Sequence, residues 1–309
     1  MTRPSGYLAS PRAWISGRPS TAPDPLFDPS VANPARVYGY WLGGKDHYQA
    51  DREAAEEVIR CRPQVVAGAR ANRAFLAQAV RYLAEECGIR QFIDLGPGLP
   101  APGNTHDIAQ AIAPESRIVY VDNDPLVLVH ARALLTGTPQ GSCDYVYADL
   151  RDTPAVLAGA GQTLDFTQPA ALLLLAVMHF LPDADNPASV VAALAVPPAP
   201  GSFVAISHLT ADFAPGPVSA GVSAYNAAVP TAVIPRSHTR VSALFGGLPL
   251  VPPGVVPLAE WRPPIVGRCG RAPCDMYAGM ARVPRADVTA PPGRTQPARS
   301  STRACNCAV

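Results

Sequence analysis

Asp94-Leu95-Gly96-Pro97-Gly98 is the stretch in which residue types and spacing point most directly to chemistry. Two glycines one residue apart let the main chain approach a ligand closely, and the acid before them can meet a cation or a hydroxyl. Gly96, Gly98 and Ala101 also fit the dinucleotide fingerprint G-x-G-x-x-G/A. That fingerprint needs a tight turn running straight into a helix whose free N–H groups hold a pyrophosphate. Here Pro97, Pro100 and Pro102 each lack an N–H. The better helix start is Asn104, a good N-cap, with Asp107 three residues on as a capping-box partner. A loop this long and this poor in donors suits a ligand without phosphates.

Further polar groups stand after later apolar runs. In Val121-Asp122-Asn123-Asp124, a carboxylate at 122 stands 26 residues beyond Gly96 and can accept both hydroxyls of a ribose. Either acid can instead cap the helix opening at Pro125, and the expected division puts Asp122 on ribose and Asp124 on the cap. Asp149, in Ala148-Asp149-Leu150-Arg151-Asp152, can accept from an adenine amino group or serve as an N-cap. His179 and His208 each stand at the end of an apolar run, where an imidazole can accept a proton near neutral pH. S-adenosylmethionine, with an amino-acid end, a ribose and a sulfonium, is a phosphate-free ligand that matches this set.

The elements that must position these groups are short apolar runs alternating with helical segments. Residues 91–95, 117–121, 144–148, 170–177 and 202–207 have strand length and little polar alternation, so they predict strands buried on both faces of a parallel sheet. Helices are predicted at 105–113, 125–135, 153–158 and 187–195, with Pro125, Pro154 and Pro187 in first turns. Five such units, 26 to 32 residues apart, predict a doubly wound α/β domain. Residues 48–61 and 64–87 are helical in pattern. Beyond 207, helices near 214–229 and 237–245 and strands near 248–251 and 276–282 complete the reading.

Composition narrows the partners. The chain has 309 residues and a net charge of +1, enough for one large domain and a substantial core. It carries no basic excess for holding nucleic acid by phosphate neutralisation. The 36 prolines fall mainly in 1–34, 196–202, 249–264 and the tail, so 1–32 and 285–309 are expected to be disordered. Seven scattered cysteines form neither a disulfide framework nor a zinc-ligand pattern. The N-terminus lacks an apolar signal core, and the longest apolar run, 170–181, is too short to span a bilayer. A cytoplasmic protein without a membrane partner is expected.

Several strings, in order, resemble the S-adenosyl methyltransferase family of high-G+C bacteria, long described as a domain of unknown function. They are NPARVYGYWLGGKD (33–46), RANRAFL (70–76), IDLGPGLPAPGNTHDIAQ (93–110), VYVDNDPLVLVHARALL (119–135), ADLRD (148–152), AVMHF (176–180) and WRP (261–263). The resemblance implies a class I, Rossmann-like methyltransferase fold of seven mostly parallel strands with the last antiparallel, spanning about 33–284. Residues 33–90 would be a helical cap and 91–284 the α/β core. It places Asp94, Gly96 and Gly98 at the methionine end of S-adenosylmethionine, Asp122 and Asn123 at the ribose, and Asp149 and Leu150 at the adenine. Tyr38, Tyr40, Lys45 and Arg73 become candidate contacts from the cap. Pro97 stands where such loops often carry a small polar residue.

Methyl transfer is an in-line displacement, so holding acceptor and methyl in line and excluding water can supply much of the catalysis. His179 or His208 would accept the proton from a hydroxyl or amine of a small-molecule acceptor. Two other readings stay open at this level: a cofactor-binding module or regulator without an acceptor site, and a nicotinamide-dependent oxidoreductase. Oligomeric state is likewise open.

Overall fold

The structure, a computed structural model, describes residues 28–134, 137–262 and 274–284. The expected disordered tail, most of the leader, Pro263, and Cys269, Cys305 and Cys307 lie outside the described residues. Residues 28–32, read above as leader, are part of the fold. Ala32 is buried, and Val31 O accepts from Arg36 Nη2 at 2.6 Å. The next residue, Asn33, donates its N–H to the buried Asp51 at 2.9 Å.

The apolar runs pair into one seven-stranded sheet. Its parallel members are β1 (Gln91–Leu95), β2 (Arg117–Asp122), β3 (Ser142–Tyr147), β4 (Ala171–Leu175) and β5 (Phe203–Leu209). The strands β6 (Val256–Pro257) and β7 (Met276–Arg282) join antiparallel, in the order β3-β2-β1-β4-β5-β7-β6. Strands β1 and β5 are buried at every residue, as expected where helices cover both faces. At the sheet edge, β3 leaves Asp144 and Tyr147 exposed and starts two residues before the predicted run. The strand expected at 248–251 is reduced to one bridge, Leu250 to Ala281, because Pro249, Pro252 and Pro253 cannot donate to a ladder. The small β6 takes the edge beyond β7 instead.

Helix ends follow the side chains that cap them. Asn33 Oδ1 accepts from Ala35 N at 2.8 Å and opens α1 (Pro34–Trp41), with proline in its first turn. Asn104 opens α4 (Thr105–Ile112), its own N–H donating to Asp107 Oδ2 at 3.0 Å, the reciprocal half of a capping box. Asp124 accepts from Leu126 N at 2.8 Å at the start of α5 (Pro125–Leu134), and Asp152 from Ala155 N at 3.1 Å at the start of α6 (Thr153–Ala160).

Three apolar clusters hold these parts. One face of the sheet packs under α3 (Val65–Arg81) and α4, anchored by the fully buried Trp261 edge-on to Phe75 at 5.1 Å. The other packs under α6, α7 (Pro187–Ala195) and α9 (His238–Ala243). The third joins α1, α2 (Gln49–Cys61) and α8 (Pro215–Ala228) through Val37, Ala54, Val58, Val218 and Tyr225. Burying each such side chain stabilises the fold by about 1.5–3 kcal/mol. This third cluster roofs the carboxyl ends of the strands.

Candidate active site

Crossovers diverge to opposite sides between β1 and β4, and an open α/β sheet binds its ligand at such a switch point. A cleft of about 500 Å³ opens there, walled by the loops after β1 to β4 and by α1, α3 and α8. That volume lies within the range of small-molecule sites.

Asp94 projects from β1 into the buried end of the cleft, where Thr105 Oγ1 donates to its Oδ2 at 2.6 Å. Burial pushes its carboxyl up to about 6, against the pull of Thr105 and of the Arg73 charge. Gly96 holds φ at +67°, and a Cβ there would stand 2.5 Å from Val177 Cγ2. Only a bare main chain lets the loops after β1 and β4 close on each other. Gly96→Ala is therefore expected to cost about 2–3 kcal/mol, from left-handed strain and the clash. Adding Val177→Ala should return the clash part alone, so denaturant melts of the single and double variants separate the two contributions.

Asp122 ends β2, accepting from Asp124 N at 2.9 Å on Oδ1 and from Gly98 N at 3.3 Å on Oδ2. Desolvation still outweighs these donors and pushes its carboxyl up to about 6. Asp124 takes the helix cap, as expected, and leaves its Oδ2 buried without a partner. Asn123 Nδ2 donates to Asp149 Oδ2 at 3.2 Å.

Asp149 departs from both roles read for it. The cap of α6 is Asp152, and both Asp149 oxygens are engaged by Arg151, through Nε at 2.8 Å and Nη2 at 2.6 Å. That fork holds its carboxyl down to about 2. With Asn123 and the Arg151 main chain also donating, an adenine amino group would have to displace an existing partner. Leu150 and Arg151 line the cleft beside it.

The four cap candidates separate. Tyr38 lines the cleft, donating to Ala69 O at 3.1 Å and accepting from Asn72 Nδ2 at 3.1 Å. Burial raises its phenol above the ordinary range. Arg73 also lines it, with Nη2 donating to Gly103 O at 2.9 Å and Asn104 Oδ1 at 3.0 Å, which ties α3 to the glycine loop. Tyr40 and Lys45 do not line the cleft. Residues two apart on a helix point about 160° away from each other, so Tyr40 turns to Glu56 and His47 while Tyr38 and Trp41 face inward. Lys45 lies exposed in the turn after α1.

The two histidines separate as well. His208 is wholly buried and outside the cleft lining, with Nε2 taking Arg236 Nη1 at 2.9 Å and Nδ1 reaching Leu209 O at 2.7 Å. Because the guanidinium can only donate, Nδ1 carries the proton and the ring is neutral. Burial, with the Arg236 charge, holds it down to about 4. Both nitrogens are committed, so His208 is structural. His179 lines the cleft on the turn after β4, and its Nδ1 is buried without a partner. Burial, then His208 and Arg236, hold it well below the ordinary histidine range, so it is neutral.

Sequence reasoning missed Arg62, whose Nε meets Asp275 Oδ2 at 2.8 Å with both groups buried at the cap side of the cleft. It also missed Trp41, Phe180 and Tyr225, which form a ring belt there. The three-residue step from Tyr38 to Trp41 was the available signal for one of them.

The sheet order, the reversed seventh strand and the glycine loop facing two under-solvated acids define a class I methyltransferase. The profile of the S-adenosyl methyltransferase family matches residues 20–284, and the chain belongs to that family. It is similar to a DUF574 family protein from Streptomyces avermitilis, at 42% identity and a TM-score of 0.80, over 83% of this chain and 99% of that one. A proposed methyltransferase from Thermobifida fusca is 36% identical with a TM-score of 0.77, over 86% of this chain and 100% of that one. No curated protein matches it. The protein is an S-adenosylmethionine-dependent methyltransferase. The residues present fit that donor: Asp94 and Asp122 are short of solvation, and Asp124 Oδ2 is orphaned beside them. Among the described residues no helix is long and apolar enough to cross a membrane.

Proposed function

We propose that residues 28–284 act as one cytoplasmic methyltransferase domain, with 28–90 as its cap, that methylates an oxygen or nitrogen of a small molecule. The observation that carries this reading is a neutral, cleft-lining His179 across the switch point from Asp94 and Asp122. When bound, S-adenosylmethionine supplies an electrophilic methyl carbon on a sulfonium. Asp94, ionised above pH 6, meets the ammonium of the amino-acid end, and the bare main chain at Gly96 allows close approach. Asp122 accepts from the ribose hydroxyls with its remaining lone pairs, Asn123 flanks it, and Leu150 packs at the adenine end. Tyr38 and Arg73 hold the cap and the glycine loop in place. The roof of α1, α2 and α8 excludes water, and His179 takes the acceptor's proton.

The test uses methyl-labelled S-adenosylmethionine and a cell extract as the acceptor source. His179→Ala is expected to lower label transfer about 100-fold or more while leaving calorimetric affinity for the donor within twofold. Unchanged transfer and an unchanged pH profile would show that positioning alone drives the reaction. Tight binding of a nicotinamide dinucleotide would overturn the reading as a whole.

A further inference from the structure

Resting on that reading, the two halves of the cleft differ in chemistry. Along the strand ends lie the acids, with Arg73 turned to the glycine loop. On the cap side the rings of Tyr38, Trp41, Tyr225 and Phe180 stand at successive centroid separations of 6.4 Å, beside Val58 and Val222. Arg62 is the one charge lining that side among the described residues, and Asp275 neutralises it at 2.8 Å. The apolar half therefore has nothing to compensate a net charge on its occupant, and desolvating an unpaired ion there would be strongly unfavourable.

Two polar atoms just behind this wall lack a partner. Tyr225 OH and His179 Nδ1 are both buried, on residues 5% and 8% exposed that line the cleft. A buried polar atom left unpaired costs about 1–3 kcal/mol. A small shift of either ring would let a ligand hydroxyl reach its polar atom and relieve that cost, and the aromatic belt favours a flat ring behind it, since offset and edge-on ring contacts add attraction beyond area burial.

We propose that the methyl acceptor is an uncharged aromatic molecule carrying a ring hydroxyl, seated among Trp41, Phe180 and Tyr225 with that hydroxyl toward His179. The hydroxyl oxygen forms a bond to the methyl carbon as the sulfur–carbon bond breaks and its electron pair passes to sulfur. The hydroxyl proton passes to His179 and on to solvent, and S-adenosylhomocysteine departs. A phenolic hydroxyl suits this wall better than an aliphatic one. His179 is a weak base because of its burial, and a phenol ionises near 10, as tyrosine does, far more readily than an alkanol.

Calorimetric titration of the protein saturated with S-adenosylhomocysteine tests the proposal, using 1-naphthol, 1-naphthoate and cyclohexanol as probes. 1-Naphthol is expected to bind at least about tenfold more tightly than either of the others. Tyr225→Phe should weaken 1-naphthol about tenfold, leave S-adenosylhomocysteine affinity unchanged and melt no lower than the parent, because the lost hydroxyl has no partner to strand. Trp41→Ala should weaken 1-naphthol in the same way. Equal or tighter binding of 1-naphthoate or cyclohexanol overturns the proposal, as does no binding of 1-naphthol at millimolar concentration. Failure of S-adenosylhomocysteine itself to bind would instead strike the donor-site reading, which that titration alone measures.

Discussion

Asp94→Asn is expected to stabilise the ligand-free protein while removing most of its affinity for S-adenosylmethionine. In the folded state the carboxyl is raised from 3.8 to about 6 by burial, so above pH 6 the fold carries an ion that water would hold more favourably. A shift of that size corresponds to about 3 kcal/mol. Proton linkage sets the sign: the folded state binds the proton more tightly, so this group's penalty is absent below about 4 and grows as pH rises through 6. Asparagine can still accept from Thr105 Oγ1 with its amide oxygen, and it carries no charge to desolvate. At pH 7.5 the variant should gain about 1–3 kcal/mol, or roughly 2–8 °C in Tm for a domain of this size. The gain should vanish at pH 4. Binding should move the other way, weakening about 30-fold or more, because the ligand's ammonium loses its ionised partner. Melts at the two pH values and one calorimetric titration check all three signs. A variant that is less stable at pH 7.5, or that binds the donor as the parent does, would show that Asp94 serves packing and not the ligand.

The same residue shows what kind of information the linear chain carries. Asp94 and Gly96 were legible because a buried parallel strand reads as an unbroken apolar run, and the residues closing such a run must lie at the ligand edge of the sheet. The five parallel strands were legible for the same reason, and the capping residues Asn104 and Asp124 because their effect is local. Phase and partnership were not. His179 and His208 both stand at the ends of apolar runs, and what separates them is that Arg236 takes Nε2 of His208 while Leu209 O takes its Nδ1. Tyr40 and Tyr38 share a string, yet a helix turns them to opposite sides, and which side faces the cleft depends on where α2 and α8 pack. Asp149 is forked by Arg151, two residues on in a turn whose shape no periodicity encodes. Tyr225 stands alone in α8 among small residues, and only the fold brings it beside Trp41 and Phe180.

Arg62→Met is expected to be among the most destabilising single changes in the chain, and the partnership behind it spans 213 residues. Arg62 comes just after α2, Asp275 just before β7, and both are less than a tenth exposed. Gly221 on α8 makes room for the arginine stem: a Cβ there would stand 3.1 Å from Arg62 Cβ. The pair thus fastens the cap to the antiparallel end of the sheet. Removing the cation leaves Asp275 buried and unpaired, at a cost of about 3–5 kcal/mol. Replacing both, as Arg62→Met with Asp275→Asn, removes the stranded charge and should recover most of that loss, because a buried pair itself adds little net stability once desolvation is counted. The acceptor side of the cleft would then stay electrically neutral, so 1-naphthol should bind the double variant nearly as it binds the parent. Denaturant melts of parent, both single variants and the double variant form the cycle that reads the coupling. If Arg62→Met costs less than about 1 kcal/mol, the ion pair does not fasten the cap, and the α2–α8 packing alone holds the roof over the active site.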